Sequence, residues 1–213
     1  MKKWDNTCKV SESNVVLTFE SKADTTVPVY YTKESYINNV PDEIISLKAN
    51  KRKTTIINKP EIYRFGITQY DPNTLKLKNA NTNITFAGIK GIVLDGHRLF
   101  DRATGLVDTD LTYLDTSKMT SMYGMFNLIP QLKKIDTSNW NTSNVTNMHI
   151  MFQGTQITYI DTSNWDISKV TDMSNIFFQQ DYRNINLCFT DFENFLNRDF
   201  SKVSNTDSMF VGC

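Results

Sequence analysis

From Leu111 onward the apolar residues fall into two alternating rhythms. The first places Leu or Ile three residues apart and follows the second of them with Asp. It occurs as Leu111, Leu114 and Asp115, then Leu132, Ile135 and Asp136, then Ile157, Ile160 and Asp161. This reads as a short strand running into a turn, because Asp takes a turn's backbone hydrogen bonds with its own side chain. The second rhythm puts apolar residues at i, i+3, i+6 and i+7, as in Met119, Met122, Met125 and Phe126. That spacing predicts a short helical or 3₁₀ segment with one face on the core. The Met and Phe column reads as core packing rather than a metal or haem box, since thioether side chains fill irregular gaps between layers.

Whole words recur as well. Ile135-Asp136-Thr137-Ser138-Asn139-Trp140 returns as Ile160-Asp161-Thr162-Ser163-Asn164-Trp165. Val145-Thr146-Asn147-Met148 with Met151-Phe152 returns as Val170-Thr171-Asp172-Met173 with Ile176-Phe177. Both offsets are 25 residues. A fixed period of this size marks an array in which each repeat buries its apolar side against its neighbours. A shortened copy precedes these two, and a degenerate one follows, from Phe200 to Phe210. The interval to that last copy is 33 residues, from Val170 to Val203. The extra stretch carries Phe189, Phe192, Phe195 and Leu196 at helical spacing, with Thr190 and Glu193 placed as a capping box. It predicts an amphipathic helix near 191–198 whose phenylalanines either cover the core or meet a partner.

Residues 1–83 have a different texture. Apolar, β-branched runs at 15–19, 26–31 and 54–57, with a weaker alternation at 63–70, predict a small β-rich domain. Pro28 inside the second run predicts an edge strand. A charged loop is expected at 48–53, a turn at Asp71-Pro72-Asn73 and a polar connector at 79–83. Ile84 to Phe86 and Ile89 to Leu94 predict a pair of strands opening the repeat domain, residues 84–213. The expected fold is therefore α+β and mostly β: a leucine-rich-repeat solenoid of about four coils preceded by a small β-rich attachment or assembly domain.

Charge sharpens that division. The 213 residues carry no formal net charge, yet residues 1–90 hold 14 Lys/Arg against 9 Asp/Glu, and the remainder holds the reverse. A neutral chain has no global pull on nucleic acid, and the Lys48, Lys51, Arg52, Lys53 cluster has no aromatic residues between its charges. No apolar run is long enough to insert in a membrane, and no secretory signal is visible. Cys8, Cys188 and Cys213 form neither a disulfide framework nor a zinc pair. Gly88, Gly91 and Gly96 do not make a dinucleotide fingerprint. Asp95, His97 and Arg98 have no accompanying nucleophile or metal motif, so neither catalysis nor a cofactor is expected.

The phrase Asn139-Trp140-Asn141-Thr142-Ser143-Asn144-Val145-Thr146-Asn147-Met148, the Leu/Ile-Asp-Thr-Ser steps, the Met-Phe doublets and Gly212-Cys213 resemble the repeats of BspA-like leucine-rich repeat surface proteins. The resemblance covers residues 111–178 and 199–213. It implies adhesion or recognition without enzymatic activity, with a protein or glycan on a cell surface as partner. The missing leader points instead to a virion or phage-tail component assembled with other subunits, so an extracellular or virion-associated location is expected. A structural subunit that uses the repeats as a spacer is the second reading.

Successive coils would set equivalent residues about 4.8 Å apart. Asp115, Asp136 and Asp161 would form one column and Trp140 and Trp165 another. Two carboxylates that close repel by about 1 kcal/mol in water. Backbone N–H groups in each turn offset this if the Asp residues act as Asx turns; a bound cation such as Ca²⁺ is the weaker reading. The tryptophans are either stacked core or an exposed strip. As a strip beside Asn139, Asn164, Thr137 and Thr162 they would be the ligand-binding residues. Met209, Phe210 and Cys213 are the expected interface, in a homo-oligomer or larger assembly, because the last repeat needs a cover.

Overall fold

A computed structural model describes residues 8–9, 15–30, 40–57, 61–62, 64–65, 69–71, 76–78, 84–92, 96–102, 111–179 and 192–212. The expected connector at 79–83, the Thr190 cap, Phe189, Asp95, Cys188 and Cys213 lie outside them, as do Pro72 and Asn73 of the expected turn.

The N-terminal half forms short antiparallel sheets. β1 (Cys8–Lys9) pairs with β6 (Glu61–Ile62). β2 (Val15–Ser21) lies between β5 (Lys51–Ile57) and β10 (Ile84–Ile92). Leu17 and Phe19 on one face of β2 are fully buried, as the period-2 pattern requires. β3 (Thr25–Tyr30) lies between β4 (Glu43–Leu47) and β7 (Arg64–Phe65), and β8 (Gln69–Asp71) pairs with β9 (Lys76–Lys78).

Three local expectations change. β3 is a central strand despite Pro28, because β7 joins it at Val29 and Tyr30, and among the described residues one flank of Pro28 has no strand to donate to. Lys51, Arg52 and Lys53 stand in edge strand β5 rather than in a loop, and Arg52 pairs across the ladder with Glu20. Charges on an edge strand discourage pairing with another chain. The two strands expected after Ile84 are one, β10, with a register shift between Phe86 and Gly88.

The four-coil leucine-rich-repeat solenoid is not what the chain forms. Each copy contributes a strand of only two residues: β11 (Leu114–Asp115), β12 (Lys134–Ile135) and β13 (Tyr159–Ile160). No sheet runs through them, since β11 pairs with β10 while β12 and β13 make a separate sheet, Lys134 opposite Tyr159 and Ile135 opposite Ile160. Helix is almost absent. α1 (Phe192–Leu196) is the only one among the described residues, and it stands where the last copy would need its strand.

The expected helical segments are also missing, and the hydrogen bonds say why. Five turn segments, 96–102, 121–128, 147–154, 172–179 and 205–212, lie against one another. Parallel bridges join Ser121 to Asn147, Asn147 to Asp172, and Asp172 to Asn205. In the first four segments alternate N–H groups leave for the next one. Met148, Ile150, Phe152 and Gly154 donate to the carbonyls of Asp172, Ser174, Ile176 and Phe178 at 2.9–3.0 Å. The N–H groups between them turn back on their own segment, as Met151 does to the Met148 carbonyl. A helix needs every N–H for itself, so sharing them between layers forbids it.

That sharing goes with left-handed backbone at two repeated positions, one occupied by Arg98, Gly124, Ile150, Asn175 and Ser208 (φ between 51° and 58°) and one four residues on, at Arg102, Leu128, Gly154 and Gly212. Glycine takes it without strain; a β-branched Ile150 costs about 1–2 kcal/mol there. The i, i+3, i+6, i+7 spacing serves this turn ladder. Its apolar residues all point inward, with Met119, Met122, Met125, Val145, Met148, Met151, Val170, Met173 and Ile176 fully buried. Phe100, Phe126, Phe152, Phe177 and Phe210 form a ring column, with centroids 5.2, 5.2, 5.8 and 5.9 Å apart along it. Offset rings at such distances add about 0.5–1.5 kcal/mol per contact to the burial itself. The buried side chains of both halves form one continuous core.

Candidate functional site

The last four turn segments each open on a short polar residue whose side chain accepts the N–H two residues on. Ser121 does so for Tyr123, Asn147 for His149, Asp172 for Ser174 and Asn205 for Asp207, at 2.8–3.3 Å. These local bonds position the third residue of each of these turns, half outward at Tyr123 and His149 and buried at Ser174. The consequence is an outer column, His97, Tyr123, His149, running beside the inner phenylalanines. His97 stacks on Tyr123 at 4.6 Å and 6°, and Tyr123 meets His149 at 5.2 Å and 50°. All three are half-exposed.

Polar partners fix the column at His149 and at Tyr123. His149 Nδ1 lies 2.8 Å from the Ser174 carbonyl and 2.6 Å from Ser174 Oγ. Ser174 Oγ itself donates to Asp172 Oδ1 at 2.6 Å. A carbonyl only accepts, so Nδ1 is the donor in this contact. At the middle ring the Arg98 guanidinium carbon sits 5.2 Å from the Tyr123 centroid. Arg98 is itself buried and donates to Asp101 Oδ2 at 2.7 Å, and Asn127 Nδ2 donates to Asp101 Oδ1 at 2.8 Å. A buried pair so bonded anchors the ring above it, because losing either partner would strand the other's charge.

The residues expected as a ligand strip divide. Trp140 and Trp165 lie in the core, each 2% exposed, stacked on Phe126 and Phe152 at 6.0 and 6.2 Å. Trp165 Nε1 donates to Thr137 Oγ1 at 3.2 Å. Thr137 and Thr162 are fully buried. The Thr137 hydroxyl donates to the Asp161 carbonyl, and Arg198 donates to the Thr162 and Trp165 carbonyls. Asn139 and Asn164 are exposed, and Asn164 Nδ2 holds the Ser138 carbonyl at 2.6 Å.

Asp115, Asp136 and Asp161 each accept the N–H of the serine two residues on, at 2.9–3.0 Å. Ser163 holds the Asp161 carboxyl below the usual carboxylate value by its hydroxyl and its N–H, and Arg198 adds to this. Ser168 does the same for Asp166. These bonds are the offset that a carboxylate row requires. Among the described residues no three His, Cys, Asp or Glu side chains cluster as metal ligands. Met209 and Phe210 are half-buried at the last segment, while Cys213 lies outside the described residues.

The outer column carried a legible signal. Gly96-His97-Arg98-Leu99-Phe100 lines up with Met122-Tyr123-Gly124-Met125-Phe126, so the repeat begins one segment earlier than its Leu-Asp words. The ring column of His97, Tyr123 and His149 follows from that alignment, whereas His97 read beside Asp95 alone suggests only a catalytic group.

A family model described as "Mycoplasma protein of unknown function, DUF285" matches residues 94–213, more than half of the chain. The chain belongs to this family. Its match starts just before the first turn segment, so the DUF285 region takes in all five. No curated protein and no solved structure matches the chain. No helix among the described residues is long and apolar enough to cross a membrane.

Proposed function

We propose that this DUF285 protein is a non-enzymatic recognition module that binds a protein or glycan on a cell surface, and that His97, Tyr123 and His149 form its binding strip. The observation that carries the reading is the half-exposed ring column held by layer-to-layer hydrogen bonds. Rings fixed in advance lose little entropy on binding, and their faces suit both sugar rings and apolar protein side chains. The likeness of residues 111–178 and 199–213 to BspA-like surface proteins supports the same role, and with it an extracellular or virion-associated location.

The test is binding to a glycan array and to intact cells. Tyr123→Ser puts at this position the residue that the next-but-one segment already carries at Ser174, so the turn is kept. Binding should fall about fivefold to tenfold, the worth of one aromatic contact. Asn139→Ala, on a different exposed row, should leave it unchanged. Equal binding by all three proteins would remove the column from the reading. No binding by any of them would favour a structural subunit of a larger assembly.

A further inference from the structure

Whether the strip takes a protein or a glycan turns on its middle ring. Tyr123 has His97 against one face, at 4.6 Å and 6°, and His149 against the other, at 5.2 Å and 50°. These neighbours belong to the segments before and behind, since the Arg98 N–H donates to the Tyr123 carbonyl and the Gly124 N–H to the His149 carbonyl. Tyr123 therefore meets anything outside with its edge and its hydroxyl. Arg98 Nη2 lies 3.5 Å from that hydroxyl, whose own proton has no acceptor among the described residues. His149 Nδ1 is taken by Ser174, while Nε2 has no partner among the described residues. A phenol and an imidazole nitrogen both pair readily with hydroxyl groups, which donate and accept alike.

We infer that the ligand is an uncharged, linear, β-linked glycan lying along the column with one sugar at each ring; this rests on the column being the binding strip. Step length carries the choice. The strip advances one ring per layer, 4.6 Å from His97 to Tyr123 and 5.2 Å from Tyr123 to His149. A sugar in an extended β-linked chain spans a similar distance between its bridging oxygens and brings hydroxyls with every unit, so chain and strip stay in step. An extended peptide offers like groups on one side only at every second residue, about 6.6 Å apart, and falls out of step by the second ring. Charge narrows the class further. Asp172 Oδ1 lies 3.9 Å from His149 Nδ1, Asp207 stands exposed two segments further on, and the Arg98 guanidinium is engaged by Asp101. A carboxylate or sulfate laid along the strip would meet like charges there. Among the described residues the row holds three rings, and buried Ser174 follows His149 in the next segment, so three sugars fill it.

The test measures the 213-residue chain against linear β-linked chains of glucose, N-acetylglucosamine and galactose, from single sugars to hexamers. Hyaluronan and heparin fragments form the acidic arm, and intact cells are measured in parallel. Affinity for at least one neutral series should rise about fivefold per sugar, the worth of one hydrogen bond, as far as the third sugar and then level off. Tyr123→Phe keeps the stack and removes only the hydroxyl. It should weaken the three-sugar chain about fivefold and leave the urea midpoint in place. Equal binding by Tyr123→Phe and the parent chain overturns the inference. So does affinity that ignores chain length or keeps rising past the third sugar, and so does a preference for the acidic chains. Cells bound through Tyr123 while every neutral chain is ignored also overturn it, and leave the strip standing as a protein-binding surface. Binding to neither cells nor glycans removes the strip itself and the glycan with it.

Discussion

Phe152→Ala is the sharpest probe of the turn ladder. Phe152 is fully buried at the middle of the ring column. It stacks on Phe126 at 5.2 Å and 5°, on Phe177 at 5.8 Å and 3°, and on Trp165 at 6.2 Å and 14°. Truncating a buried Phe costs about 3–5 kcal/mol, and the spread depends on how far the cavity can collapse. Collapse is restricted in this column, because the spacing between layers is set by hydrogen bonds of 2.9 Å at Phe126, Phe152 and Gly154. The upper half of that range, about 4 kcal/mol, is expected. Phe210 is half-exposed with one stacked neighbour, so Phe210→Ala should cost about 1–2 kcal/mol. Urea unfolding followed by the emission of Trp140 and Trp165 reports on the column directly, since both stack on it. With a slope near 2 kcal/mol/M, Phe152→Ala should lower the midpoint by about 2 M, and Phe210→Ala by under about 1 M. Equal shifts for the two variants would refute a column whose centre is tighter than its end.

Three further outcomes follow from other parts of the molecule. Gly154 holds φ of +68°, and a Cβ there would lie 2.7 Å from Leu128 Cδ2, so Gly154→Ala should lower stability by about 1–2 kcal/mol in the same unfolding assay. Arg98→Met leaves the Asp101 carboxylate buried with Asn127 and the more distant Arg102, at 4.0 Å, as partners and should cost about 3 kcal/mol, most of which Arg98→Met with Asp101→Leu should restore in a double-mutant cycle. The Asp161 and Asp166 carboxyls titrate lower in the folded protein than the ordinary 3.8 because of Ser163 and Ser168. Their contribution is thus present above 3.8 and is lost as pH falls through the lower folded values. Melting curves taken into that acid range should show a smaller acid loss for Asp161→Asn than for the parent chain.

Much of the repeat region was legible because its words recur at a fixed offset. The 25-residue period paired Ile135 with Ile160 and put the Met and Phe residues inside. Asp115, Asp136 and Asp161 behave as Asx residues, which local chemistry alone requires. What spacing could not supply was the destination of each N–H. The i, i+3, i+6, i+7 pattern fits a helical turn and a layered turn equally well, and only the neighbouring segments decided for the second. The same ambiguity hid the direction of Trp140 and Trp165: alternation of polar and apolar residues around them is satisfied by a core or by a strip.

By itself, then, the order of residues determined the period, the inward column and the local Asx turns, since each depends on contacts within a few residues or on exact recurrence. Only the tertiary structure decided that the layers are joined by turns rather than by a continuous sheet, that the tryptophans are core, and that His97, Tyr123 and His149 face outward together. Those outcomes depend on where alternate N–H groups find acceptors some 25 residues away. No local pattern contains that information, because a peptide group's partner in the next layer is chosen by packing.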